Sequence, residues 1–116
     1  MDAEMLVANY LNAQNLGATA YYDNPSELPS TFVVVERTGG GFEQRVMGRP
    51  MLDVQCWAES RPQAASLADS VRSAIVAMPD ELPNIFGVSV TSTFRDTDLE
   101  TMRPRYHVVF ELYTNE

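Results

Sequence analysis

His107 and Cys56 are the only imidazole and the only thiol in the chain, and each sets a narrow limit on chemistry. One histidine excludes a two-histidine metal site; one cysteine excludes an internal disulfide and a cysteine-based zinc cluster. His107 alternates within a strand-like run to the side carrying Val109 and Glu111. A general base there needs a partner and a pocket, which no nearby motif supplies. The expected role is a strand histidine bonded to a neighbour. Cys56 alternates to the apolar side of its own run, where a thiol is inert. Gly87-Val88-Ser89-Val90-Thr91 approaches a nucleophile elbow but lacks the second glycine. Asp96-Thr97-Asp98-Leu99-Glu100 has the acidic spacing that opens a calcium loop. Thr101 then stands where that loop needs glycine, and His107 where it needs glutamate. A solvated acidic loop is the simpler reading. Gly39-Gly40-Gly41 is followed by neither a lysine nor a helix start, both of which a phosphate cradle uses. All 8 basic residues are arginine, which removes Schiff-base chemistry and any lysine base. No catalytic residue, cofactor or metal site is expected.

The chain of 116 residues has the length of one domain, taken as 1–116. Its 16 acidic residues leave a net charge of -8, which argues against binding nucleic acid through phosphates. Met1-Asp2-Ala3-Glu4 is acidic where a signal peptide needs positive charge. No apolar run approaches the ~20 residues that cross a bilayer, so no membrane is expected.

The elements that must position these residues follow from periodicity. Leu6, Val7, Tyr10 and Leu11 form one stripe of a helix over residues 2–14, with Gly17 as its stop. Residues 18–22 read as a short extended piece, and the proline-rich stretch to Ser30 as a loop. Phe32-Val33-Val34-Val35 is a strand, which the triple glycine is expected to break into a wide, mobile hairpin connection. In the next strand Leu52, Val54, Cys56 and Ala58 face one way and Met51, Asp53, Gln55 and Trp57 the other. Ser60 caps a second helix with Pro62 in its first turn. Ala64, Leu67, Ala68, Val71, Ala74, Ile75 and Met78 are its stripe, and Pro79 and Pro83 end it. Val88, Val90, Ser92 and Phe94 alternate in one closing strand, and Tyr106, Val108, Phe110 and Leu112 in the last. A long connection, residues 96–104, joins them. The order α-β-β-β-α-β-β implies an α+β fold: a single antiparallel or mixed sheet with two helices on one face.

The other sheet face would carry Met51, Trp57, Val109 and Tyr113, which is less polar than a solvated face. Either more chain covers it or another subunit does. Arg95, Arg103 and Arg105 bracket Asp96, Asp98 and Glu100, a mixed-charge connection able to fix register against a neighbour. The glycine loop is read equally well as an arm that orders on a partner and as an idle hairpin tip. Candidate contacts with another subunit or a partner are therefore Gly39, Gly40, Gly41, Phe42, Arg45, Arg49, Trp57, Arg95, Asp96, Asp98, Arg103, Arg105 and Tyr113.

Four stretches carry a resemblance. Pro29-Ser30-Thr31-Phe32-Val33-Val34-Val35-Glu36-Arg37-Thr38-Gly39-Gly40, Leu52-Asp53-Val54-Gln55-Cys56-Trp57-Ala58, the alanine-rich helix from Ser60 to Met78, and Arg103-Pro104-Arg105-Tyr106 with its following strand resemble, taken in that order, the tail terminator proteins of long-tailed bacteriophages, particularly those of actinobacterial hosts. The resemblance implies a structural virion protein without catalytic residues. It implies a ring, usually of six copies, that caps the head-proximal end of the tail tube, ends tube polymerisation and meets head completion or stopper proteins. The partners implied are further copies of itself, the tail tube protein and those connector proteins, with DNA passing through unbound. The site implied is the virion tail, after assembly in the host cytoplasm. The alternatives are another head–tail connector component, or a small ligand-binding or enzymatic α+β domain gathering Tyr106, His107 or Trp57 into a pocket.

Overall fold

A computed structural model describes residues 2–23, 25–27, 29–44 and 47–115, with the backbone alone at 40–44 and 47. The elements are α1 (Ala3–Asn12), β1 (Thr19–Tyr21), β2 (Phe32–Gln44), β3 (Met47–Trp57), α2 (Arg61–Val76), α3 (Met78–Glu81), β4 (Ile85–Arg95) and β5 (Arg105–Asn115). The strands form one five-stranded sheet in the order β1-β2-β3-β5-β4. β1 runs parallel to β2 and the other neighbours are antiparallel, so the sheet is mixed. The expected α+β class and element order hold, with α3 as an addition.

α1 and α2 start where their capping chemistry is. Asp2 accepts from the Met5 amide, and Ser60 from the Gln63 amide with proline in the first turn. Replacing Ser60 by Ala is expected to cost about 1 kcal/mol, read as a lower midpoint at unchanged slope in urea unfolding. α2 ends at Val76, two residues before the expected Met78. Pro79 opens α3 as well as closing α2, because proline fits a first helical turn. After α1 the chain reverses through Asn15 and Gly17, both with positive φ; at Gly17 a side chain would be strained.

The core lies between the helices and one sheet face. Val7 and Leu11 of α1 and Ala64, Leu67, Ala68, Val71 and Ile75 of α2 meet Val33, Val35, Leu52, Val54, Cys56, Val108, Phe110 and Leu112. Burial of these apolar side chains, at roughly 1.5–3 kcal/mol for each large one, is the main force holding the helices to the sheet. β1 is an edge strand, and it is protected. The side-chain amide of Asn12 donates to the Ala20 carbonyl at 3.0 Å and accepts from the Ala20 amide at 2.8 Å, so these backbone groups do not invite a foreign strand.

Three expectations change. The triple glycine does not break the strand. β2 continues through it, Gly39, Gly40 and Gly41 pairing with Met51, Pro50 and Arg49, because a backbone ladder needs no side chain. A register shift between Arg37 and Gly39 marks the entry. Only Arg45 and Val46 stand between β2 and β3, and both lie outside the described residues. Secondly, β4 begins at Ile85 and not at Val88. Thirdly, β4 carries a bulge between Val90 and Ser92. One extra residue exchanges the two faces of everything after it. Phe94 therefore lies on the opposite face from Val88 and Val90, across from His107.

Candidate functional site

The second sheet face, away from the helices, gathers most of the residues singled out by chemistry. β3 presents Asp53, Gln55 and Trp57 there, β5 presents Arg105, His107, Val109, Glu111 and Tyr113, and β4 past its bulge presents Phe94.

At its centre His107 is held between two carboxylates. Its Nδ1 lies 2.9 and 2.7 Å from the Asp53 oxygens, and its Nε2 lies 2.9 Å from Asp96 Oδ2. The Phe94 ring stacks on the imidazole at 4.8 Å and 11°. The hydrogen bond to Asp53 raises the His107 pKa above its ordinary value; burial opposes this, and the Asp53 charge and the bond to Asp96 add to it. An imidazolium donating at both nitrogens satisfies both carboxylates. With a carboxylate against each ring nitrogen, the geometry makes a clasp that ties β3 and the β4–β5 connection to β5.

The clasp continues into the β4–β5 connection. Arg105 donates to Asp96 Oδ2 at 2.9 Å and lies 3.7 Å from Asp98. The bond from His107 holds the Asp96 carboxyl below the usual range, with Arg105 adding to it. Thr101 does the same for Asp98, donating through its hydroxyl at 2.6 Å and its amide at 3.0 Å. The sheet ladder also runs on past the strands, with Asp96 N–H bonded to Arg105 O and Asp98 N–H to Arg103 O. What sequence suggested as a long loop is a hairpin closed almost to its tip.

Trp57 lies on the expected face, but its own chain covers it. It is 9% exposed. Phe32 stacks on it at 5.1 Å and 16°, and the Arg105 guanidinium sits 5.0 Å from its ring centre. Its indole N–H donates to Gln55 at 3.2 Å. With Phe32, Val34 and the flank of Tyr21 it forms a small second core. Arg103 roofs this cluster, 5.4 Å above Phe32, and donates to the Pro29 and Ser30 carbonyls at 2.8 and 2.6 Å.

At the far end of the face Arg49 pairs with Glu111 at 3.0 Å and lies over the Tyr113 ring. That arginine holds the Glu111 carboxyl below its usual value, with Tyr113 adding to it. Cys56 is fully buried in the helix-side core, where burial pushes its thiol up. Among the described residues no three His, Cys, Asp or Glu groups are placed to hold a metal ion, and no helix is long and apolar enough to cross a membrane.

Of the predicted contact residues, Asp96, Asp98, Arg103, Arg105, Arg49, Trp57 and Tyr113 are thus bound to one another or to neighbours within the chain. Arg95 is exposed. Gly39, Gly40, Gly41 and Phe42 lie along the β2–β3 hairpin, and Arg45 lies outside the described residues. Sequence reading passed over Asp53, which sits 54 positions from His107 and whose only signal was a carboxylate on the same strand face as Trp57.

These features define an α+β protein whose mixed sheet has one face under helices and one tied by arginine, histidine and carboxylate. The same fold occurs in a chain of a solved structure described as "Virion of native gene transfer agent (GTA) particle". The likeness covers 100% of this chain and 89% of that one, with a TM-score of 0.66 and 12% sequence identity. At that identity it is a likeness of fold. No family model and no curated protein matches the sequence.

Proposed function

We propose that this chain is a structural protein of a phage-like virion and, within it, the tail terminator: a ring, six copies in the usual case, that caps the head-proximal end of the tail tube. The observation that carries this reading is the fold likeness over the whole chain to a chain of a gene transfer agent virion, which meets the resemblance found in the four stretches of sequence. The chemistry of the second sheet face supports a role without catalysis, since His107 has both nitrogens engaged. Charge supports it too: six chains of -8 sum to on the order of -48, a field that keeps passing DNA from sticking. The β2–β3 hairpin and the β4–β5 tip are the proposed contacts with ring neighbours, tube and connector.

The test is polymerisation of the cognate tail tube protein with and without this protein, read by negative-stain imaging. The expected result is rings of the isolated protein and tubes whose growth stops on its addition, with extra density at one end. Tubes that grow unchanged, with a chain that stays monomeric, would overturn the reading. Rings that bind the head-side connector but leave tube growth unchanged would replace the terminator by another connector component.

A further inference from the structure

The tip of the β4–β5 hairpin breaks two rules at once. Leu99 and Met102 are 82% and 68% exposed, the two most exposed large apolar side chains among the described residues. Met102 also adopts φ 60, a left-handed conformation that favours glycine or asparagine and costs an ordinary side chain. The turn is nevertheless fixed. The Met102 amide donates to the Asp98 carbonyl at 2.7 Å, Asp98 binds Thr101 twice, and Arg103 and Arg105 tie the base of the tip to the Pro29–Ser30 backbone and to Asp96. A strained backbone held rigid so that it shows two apolar side chains to water is organised in advance for a partner.

The same chain carries a matching surface. Leu6 and Tyr10 of α1, Ala13 just after it and Leu82 after α3 line an apolar groove with Gln14 and Glu81 on its rim. Charge matches at the flank: Arg95, exposed and without a partner among the described residues, stands at the base of the hairpin, while Asp80 and Glu81 lie beside the groove, and Glu100 at the tip itself is the acidic group that the contact must leave in water. A molecule cannot join its own two surfaces. α3 precedes the first residue of β4 and the tip follows its last, and 11 residues of strand span roughly 35 Å of a molecule 43 Å long.

Resting on the ring reading, we propose that the Leu99–Met102 tip of one copy seats in the α1–α3 groove of the next, with Arg95 against Asp80 and Glu81. The contact joins two different surfaces of one chain. Made head to tail, as the ring reading requires, it closes into a ring or grows as a filament; made reciprocally by two copies it would give a two-fold dimer instead.

That property supplies the test. Leu99→Asp with Met102→Asp spoils the tip, and Ala13→Arg fills the groove; all three positions are exposed, so the fold is spared. In sedimentation the wild-type protein is expected to form rings or longer oligomers, and each variant alone to stay monomeric. An equimolar mixture of the two variants, which retains one working tip and one working groove per pair, is expected to stop at a 1:1 dimer. Variants that assemble like wild type, a mixture that stays monomeric, or a wild type monomeric up to about 1 mM would each overturn the contact. In the first two cases rings of wild type leave the terminator reading standing, because that reading is judged by tube capping.

Discussion

Trp57→Ala is expected to lower stability by about 3–5 kcal/mol, the range for losing a large buried aromatic side chain. The melting temperature should fall by roughly 15 °C or more in a chain of this size. On exposure to solvent alone a tryptophan on the helix-free face would be an interface anchor, and its loss would spare the fold. Here it is 9% exposed and packed face to face with Phe32. Its removal empties the second core and takes away the platform under Arg105. Arg105 is one of the groups that fix Asp96 and Asp98, so the damage spreads to the β4–β5 hairpin. Thermal melting and sedimentation of one variant decide the matter. A melting temperature within about 2 °C of wild type, together with lost assembly, would put Trp57 in an interface after all.

Elements whose evidence is local were legible in the sequence. The alternation of Leu52, Val54, Cys56 and Ala58 against Asp53, Gln55 and Trp57 sorted β3 correctly, because the two-residue period is a property of the strand itself. Ser60 and Pro62 marked the start of α2 for the same kind of reason. What stayed hidden depends on pairing. The bulge at Thr91 is invisible in a run of β-formers, yet it moves Phe94 to the face of His107. The triple glycine looked like a break because glycine weakens isolated strands; opposite Met51, Pro50 and Arg49 it is held by the partner's ladder. The clasp was half legible. Alternation put His107 on the right face, but Asp53 becomes its partner only through the register that sets Asp53 beside Val109 and Gln55 beside His107.

Asp53→Ala is expected to cost about 2–3 kcal/mol near pH 6, the size of effect seen when a charged donor is left without its acceptor in a mostly buried place. Asp53 and His107 are 14% and 10% exposed at their side chains, so water replaces the lost carboxylate poorly. The dependence on pH separates this clasp from mere packing. The folded protein raises the His107 pKa, chiefly through Asp53. Its contribution is therefore complete below the unfolded value of about 6.5 and fades as pH rises through the higher folded value. Asp96, whose carboxyl is held low by His107 and Arg105, works in the other direction: its share is complete above the ordinary carboxylate range and is lost as acid titrates it in the folded state. Wild-type stability should thus fall on both sides of a mildly acidic plateau. Asp53→Ala should lower that plateau and flatten its alkaline side, while the acid limb, carried by Asp96, keeps its direction. Urea unfolding of both proteins across that range reads this directly. A variant that loses the same stability at every pH would reduce Asp53 to a packing residue. A variant that loses none would mean that Asp96 alone holds His107, and that the β4–β5 hairpin is anchored to the sheet through that bond without help from β3.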